Sequence, residues 1–391
     1  MSTANATSTS ATASGTHPVR AFFDTLGARL RRLPRPAKIL LAALAVLLVY
    51  LLPILNPPLI TTVDSDFASV LFSCAVYALV AIGLNIVIGY AGLLDLGYVG
   101  FFMVGAYGVA LFGSAHAQLP FLLTIPIAIV LALISGVLLG APTLRVRGDY
   151  LAIVTLGFGE IVRLVALNST FTRGASGVSN IPSPPSLPLF EVPHLTWEGF
   201  TAFVDTTETT TFLQFGVTDA APYYWFALTI VLIVLFLDKL LQNSRVGRAW
   251  EATREDEDAA ELMGVPTFKF KLLAFACGAA IGGLSGALFA ARQGFVNPDN
   301  FTILYSVLFV AMVVVGGQGN RWGVVAAAVL LTWLPERFRF LSDARYLLFG
   351  AALMALAIFR PQGMLPPKRQ QRALRAEERD ESLQEGARAD G

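Results

Sequence analysis

The sequence predicts an all-α fold, a polytopic transmembrane helix bundle of about ten spans, with about eight to ten possible. Charge scarcity is the first reason. Of 391 residues, 14% are charged and 55% hydrophobic, with mean hydropathy +0.64. Soluble domains carry about 25% charge and roughly 45–50% apolar residues. The second reason is where the charge sits. Lys, Arg, Asp and Glu gather at the two ends and in one central loop, leaving long stretches nearly free of them. A water-soluble core cannot hide that much apolar chain, whereas a bilayer can. The third reason is that basic residues alternate along the connecting loops as successive crossings require.

Residues 1–37 read as a cytoplasmic, disordered basic tail. Residues 1–19 are Ser/Thr/Ala-rich with no apolar face to bury, and no small-residue cleavage site follows the first apolar run. Arg20, Arg29, Arg31, Arg32, Arg35 and Lys38 precede that run, which places the N-terminus inside. The transmembrane body covers 38–360. Its candidate spans are 38–55, 67–89, 93–113, 119–140, 150–167, 222–242, 272–291, 302–316, 323–338 and 345–359. The segments 93–113 and 323–338 are also readable as re-entrant. Loop 56–66 carries Asp64 and Asp66 but no cation, so it lies outside. Loop 141–149, with Arg145 and Arg147, lies inside, as does turn 317–322 with Arg321. Arg292 is the main exception. Residues 361–391 form a charged cytoplasmic tail, so both termini are expected inside, in a multi-pass chain.

Two loops are longer than simple connectors need to be. The outer segment 168–221 is rich in Ser, Thr and Pro and is long enough to form an extracytoplasmic cap. The inner loop 243–271 predicts a short helix over about 254–263. Thr253 with Asp256 three residues on resembles an N-cap pair, acids crowd the first turn, and Gly264 and Pro266 are stop signals. Ala259, Ala260, Leu262 and Met263 give one side a small or apolar character. Such a helix suits insertion into a partner's groove; a solvated charged loop folded on the membrane surface is the alternative.

That loop reads Asp258-Ala259-Ala260-Glu261-Leu262-Met263-Gly264. It resembles the Glu-Ala-Ala…Gly signature of binding-protein-dependent ATP-driven importers, with Asp in place of the usual Glu. Gly89-Tyr90-Ala91-Gly92-Leu93-Leu94-Asp95-Leu96-Gly97-Tyr98, Arg147-Gly148-Asp149-Tyr150-Leu151-Ala152, Thr172-Arg173-Gly174-Ala175-Ser176-Gly177 and Gly316-Gly317-Gln318-Gly319 are similar to the branched-chain amino acid permeases of that class. The resemblance covers about residues 67–360. It implies an ATP-binding-cassette (ABC) importer transmembrane domain in the cell inner membrane. It also implies a second homologous permease subunit forming a heterodimer, two ABC ATPase subunits, and an extracytoplasmic substrate-binding protein. Under it, loop 243–271 is the ATPase coupling loop, with Arg254, Glu255, Asp256, Asp258, Ala259, Ala260, Glu261 and Gly264 as its coupling residues. Leucine, isoleucine and valine are the implied substrates. A urea or short-amide permease of the same family is the nearest alternative, and an ion-coupled carrier is a more distant one.

No cofactor is expected on this chain. A P-loop needs Gly-Lys-Ser/Thr, and none of Lys38, Lys239, Lys269, Lys271 and Lys368 follows a glycine; ATP and Mg would sit on the partner ATPases. The chain is therefore expected to be non-catalytic. His17, His116 and His194 lie far apart, and Cys74 and Cys277 lie in apolar runs, so no metal site is expected. A net charge of +1 supplies no basic field for nucleic acid; lipid is the surrounding partner.

Inside the apolar body, polar residues need reasons. Glu160 sits near the middle of its span with Arg163 on the same face. The pair either fixes the bundle or lines a translocation path. Asn85 and Asp95 flank the Gly-rich break 89–92, as caps of broken helix ends or as substrate contacts. Thr155 and Gly157 join Asn85, Asp95 and Glu160 as path candidates. Gly278, Gly282 and Gly286 repeat at four-residue spacing, a face for close helix packing within the chain or against a second subunit.

Overall fold

The computed structural model describes residues 34–57, 60–61, 66–144, 149–186, 191–198, 201–211, 214–216, 219–338 and 363–365, with a few isolated positions between 347 and 354. Arg145, Arg147, most of both tails and most of the expected span 345–359 lie outside the described residues. Two compact units are present, Met1–Leu52 and Pro53–Gly391. The helix α1 (Arg35–Leu55) is apolar along its length, with Pro53 near its end.

Among the described residues, seven helices are long and apolar enough to cross a membrane: Pro36–Leu55, Phe67–Tyr90, Phe121–Thr143, Tyr150–Asn168, Ala221–Gln242, Thr267–Gln293 and Pro298–Gly316. A shorter apolar helix, Tyr98–Ser114, accompanies them. These eight coincide with the expected runs from 38–55 through 302–316. The expected span 323–338 becomes α11 (Arg321–Arg337), a 17-residue helix with charged ends and Pro335 inside it. It is too short and too charged to be counted with the others.

The centre is built on α2 (Phe67–Asn85), α3 (Tyr98–Ala110) and α9 (Thr267–Gln293), all heavily buried. Asp66 caps α2 by accepting from the Ala68 and Ser69 N–H groups at 3.2 Å each. A π-helical turn, Ile86–Tyr90, ends α2. The chain then runs without helix to Gly97, so the third apolar run starts at Tyr98 rather than 93. α9 packs chiefly on α3 and α4 (Phe121–Thr143). Small residues permit this: a Cβ at Gly286 would overlap the Phe102 carbonyl, and one at Gly283 would overlap Ala132. Gly278, Gly282 and Gly286 thus face α2 and α3 of their own chain. Phe102, Phe289, Phe301 and Phe309 fill the space beside them, with ring centroids 5.4–6.1 Å apart where they meet.

Around this centre stand α5 (Asp149–Asn168), α6 (Ala221–Gln242), α10 (Ile303–Gly316) and α11. The segment 168–221 departs from an all-helical chain. It holds β1 (Val178–Ser179), which pairs with β4 (Phe295–Val296), and a hairpin of β2 (Glu191–Glu198) and β3 (Thr201–Thr211), with a register shift at Pro193/His194. Arg292, out of place by the charge rule, is held at the end of α9. Its Nη2 donates to Ser69 Oγ at 3.2 Å, and its guanidinium lies over the Tyr223 ring at 5.4 Å.

Candidate functional site

Polar groups collect at two ends of the bundle. The first end carries loop 243–271, which forms two short helices where one was expected: α7 (Arg245–Glu255) and α8 (Glu257–Leu262). Ser244 caps α7 through its Oγ, which accepts from Val246 and Gly247. Asp256 separates the helices with an extended backbone (φ −154°, ψ 108°) and caps α8 by accepting from the Ala259 N–H at 2.9 Å. Thr253 is therefore not the cap. It lies inside α7, buried, and its hydroxyl donates to Ala249 O. Gly264, at φ +85°, turns the chain after α8, a conformation that suits glycine.

This loop is docked rather than solvated. Trp250 is fully buried and its Nε1 donates to Phe270 O at 2.6 Å. Lys271 Nζ meets Glu257 Oε2 at 2.5 Å. Ala260 is buried within the chain, while Ala259, Asp258 and Glu261 are exposed. The apolar residues presented outward are Leu262, 88% exposed, and Met263, 85% exposed. The sequence pattern had grouped Ala259, Ala260, Leu262 and Met263 on one partner-facing side; of these four only Ala260 is turned inward.

Below the loop, four segments meet. Arg254 Nη1 donates to Gly89 O, a carbonyl in the π-turn at the end of α2. Burial pulls the Arg254 guanidinium below its ordinary value, and Glu251 and Glu255 oppose that shift. Asn85 Oδ1 accepts from Gly319 N at 2.9 Å, in the α10–α11 turn, so Asn85 links two elements rather than capping α2. Tyr90 OH donates to Asp238 Oδ2 at 3.0 Å, and Arg321 Nη1 lies 3.4 Å from the same oxygen. Arg321 Nη2 also donates to Gln242 Oε1. Buried charge is tolerated only when paired in this way. Arg254 thus ties the loop to the end of α2, whose Tyr90 in turn meets α6 and α11 through Asp238 and Arg321.

At the opposite end, Glu160 and Arg163 form the ion pair their spacing predicts. Arg163 Nε donates to both Glu160 oxygens at 3.1 Å, and Nη2 to Oε1 at 2.6 Å. Arg163 Nη1 also lies 3.5 Å from Asp299 Oδ1, on the Pro298–Asn300 turn before α10. This cluster is half-open: the side chains of Arg163, Glu160 and Asp299 are 21%, 39% and 67% exposed. An ionised residue facing lipid at a helix centre costs about 2.5–3.5 kcal/mol on insertion scales.

The remaining candidates divide. Thr155 is fully buried, accepting from Leu96 N at 3.1 Å and donating to Ala152 O, so it props the broken segment and opens onto no path here. Asp95 is likewise buried, its Oδ1 accepting from Gly97 N at 2.9 Å just before α3. Gly157 is different, because a Cβ there would meet nothing within 4 Å. Among the described residues, no three His, Cys, Asp or Glu side chains are grouped to hold a metal.

An apolar helix bundle with a docked helical loop bearing the Asp-Ala-Ala…Gly pattern fits the membrane permeases that the sequence resembles. The chain belongs to the family described as branched-chain amino acid transport system/permease component, whose model matches residues 67–357. It is 43% identical over 306 residues to the high-affinity branched-chain amino acid transport system permease protein LivM of Escherichia coli strain K12, covering 77% of this chain and 70% of that one. A probable branched-chain amino acid transport permease protein LivM of Methanocaldococcus jannaschii is 27% identical, covering 75% of this chain and 91% of the relative. The ribose import permease protein RbsC of Haemophilus influenzae is 24% identical, covering 77% and 85%. No solved structure gives a significant match.

Proposed function

We propose that this chain is a permease subunit of an ABC importer that moves branched-chain amino acids across the cell inner membrane. It performs no catalysis. ATP and Mg bind two separate ATPase subunits, a second homologous permease completes a heterodimeric pathway, and an extracytoplasmic binding protein delivers substrate. Both termini and the α7–α8 loop face the cytoplasm. The substrate class rests on the E. coli relative at 43% identity, whose name carries it.

The observation that carries the mechanism is the docked α7–α8 loop. Leu262 and Met263 stand exposed at the end of α8, where an apolar pair fits a groove on a partner. Behind them, the Lys271–Glu257 contact and the buried Trp250 stiffen the connection to α9, and Arg254 connects it to α2. Motion imposed on α8 by ATPase closure therefore reaches two central helices without a compliant linker.

Reconstitution in proteoliposomes with the partner subunits tests this. The wild type is expected to import leucine only with ATP and binding protein. Leu262→Asp with Met263→Asp is expected to lower uptake by about tenfold or more, through loss of a buried apolar contact, while the chain still inserts. Normal uptake by that variant would refute the coupling role. Uptake of urea instead of leucine would select the short-amide reading, and ATP-independent uptake by this chain alone would select a carrier.

A further inference from the structure

We infer that Arg163, Glu160 and Asp299 form a recognition site for the zwitterionic head group of a free α-amino acid, at the end of the bundle opposite the α7–α8 loop. The inference rests on the amino-acid importer reading above and assigns that function to particular side chains.

Exposure comes first. The Glu160–Arg163 pair lies in the second half of the Tyr150–Asn168 span, beside the Pro298–Asn300 turn, yet both side chains are partly open. An ion pair meant only to fix the bundle would be enclosed, as Asp238 and Arg321 are. One facing hydrocarbon would be expelled from it, so the open side of this pair faces water or a polar ligand.

Donor accounting comes second. Glu160 occupies the Nε–Nη2 edge of the guanidinium, with three contacts of 2.6–3.1 Å. Nη1 carries only the longer 3.5 Å ion pair to Asp299. The Nη1–Nη2 edge retains planar donors suited to a carboxylate. Two carboxylates around one guanidinium leave a net negative charge, which an ammonium group offsets. The pattern of one cation and two anions complements a zwitterion and offers nothing specific to urea or a neutral sugar.

A third observation is Tyr107, on α3. Its ring packs on Phe301, two residues after Asp299, with centroids 6.2 Å apart. Tyr107 is only 6% exposed, and its hydroxyl has no hydrogen-bond partner among the described residues. A buried hydroxyl left unpaired is costly, and a ligand between Tyr107 and Asp299 would satisfy it. Gly157, one turn before Glu160, has open space in front of it, and Ile153 and Ile161 are exposed beside that space.

The test is leucine uptake by the complete transporter in proteoliposomes. The wild type is measured first: if it imports no amino acid, the importer reading fails and this site falls with it. Where the wild type imports leucine, Arg163→Lys is expected to lower uptake about tenfold, since an ammonium lacks the planar two-donor edge. Asp299→Asn is expected to lower it roughly threefold. The charge swap Glu160→Arg with Arg163→Glu should assemble but stay inactive, because the restored ion pair presents its groups in reversed positions. Recovery of wild-type uptake by the swap would show a purely structural pair and overturn the inference. Should the swap fail to assemble, Asp299→Asn decides alone. Asp299 sits exposed on a turn, and wild-type uptake by that variant would also overturn the inference.

Discussion

Two clusters in this molecule contain nearly the same chemistry and have opposite surroundings. At one end, Asp238, Arg321 and Tyr90 are closed off by Gln242 and the helix ends around them; Asp238 is 2% exposed. At the other, Glu160, Arg163 and Asp299 stand half-open. The difference is one of solvation. The closed pair holds elements together, although Asp238 Oδ1 and Arg321 Nη1 make no hydrogen bond among the described residues. An open one retains donors and acceptors for something that arrives. The loop end is accordingly read as a rigid transmission, and the opposite end as a point of entry.

The comparison breaks first at the closed cluster. Asp238→Ala leaves Arg321 buried without its carboxylate and is expected to cost about 3–5 kcal/mol of stability. Thermal unfolding of the purified chain would show it, and an unchanged midpoint would mean that water reaches the cluster. Next is the loop itself. Asp256→Ala removes the cap of α8 and should cost about 1 kcal/mol, confined to that helix. Hydrogen exchange at 257–263 would rise while the bundle stays protected. The smallest stability effect is expected at the open cluster. Arg163→Gln should change stability by about 0–1 kcal/mol, as for other exposed pairs, although uptake falls. A stability loss there as large as that of Asp238→Ala would erase the distinction between the two ends.

Much of the fold was legible because lipid imposes a simple rule. A helix crossing hydrocarbon must be long and apolar; among the described residues seven of the expected runs are helices of that kind, and an eighth is the shorter apolar helix Tyr98–Ser114. The rule fails where its premise fails. α11 is packed against α2 and α10, so it can be short and end in charge. The loop was legible in part. Its stop at Gly264 and its acid-rich first turn were visible, but the division at Asp256 was not. Thr253 and Asp256 both suit a cap, and only the extended backbone at Asp256 chooses between them.

The site residues divide by the range of their contacts. Glu160 and Arg163 lie three residues apart on one helix, so helical geometry alone joins them. Asp299 joins them only because β1 pairs with β4 and brings the turn after α9 near α5. Arg254 with Gly89, Asn85 with Gly319 and Asp238 with Arg321 are likewise partners from distant parts of the chain. No local spacing announces any of them. Thr155, a path candidate by its place in the span, is turned inward and accepts from Leu96 N.

By itself, then, the sequence determined a charge-poor helical membrane chain, the position of its one docked loop, and the pair at Glu160 and Arg163. Those depend on composition, on loop charge and on a 3.6-residue period, all of which are local. Tertiary structure alone decided which polar cluster is sealed and which is open. That depends on how deeply each helix face is covered by others, and coverage is a property of the packed bundle, not of any one segment.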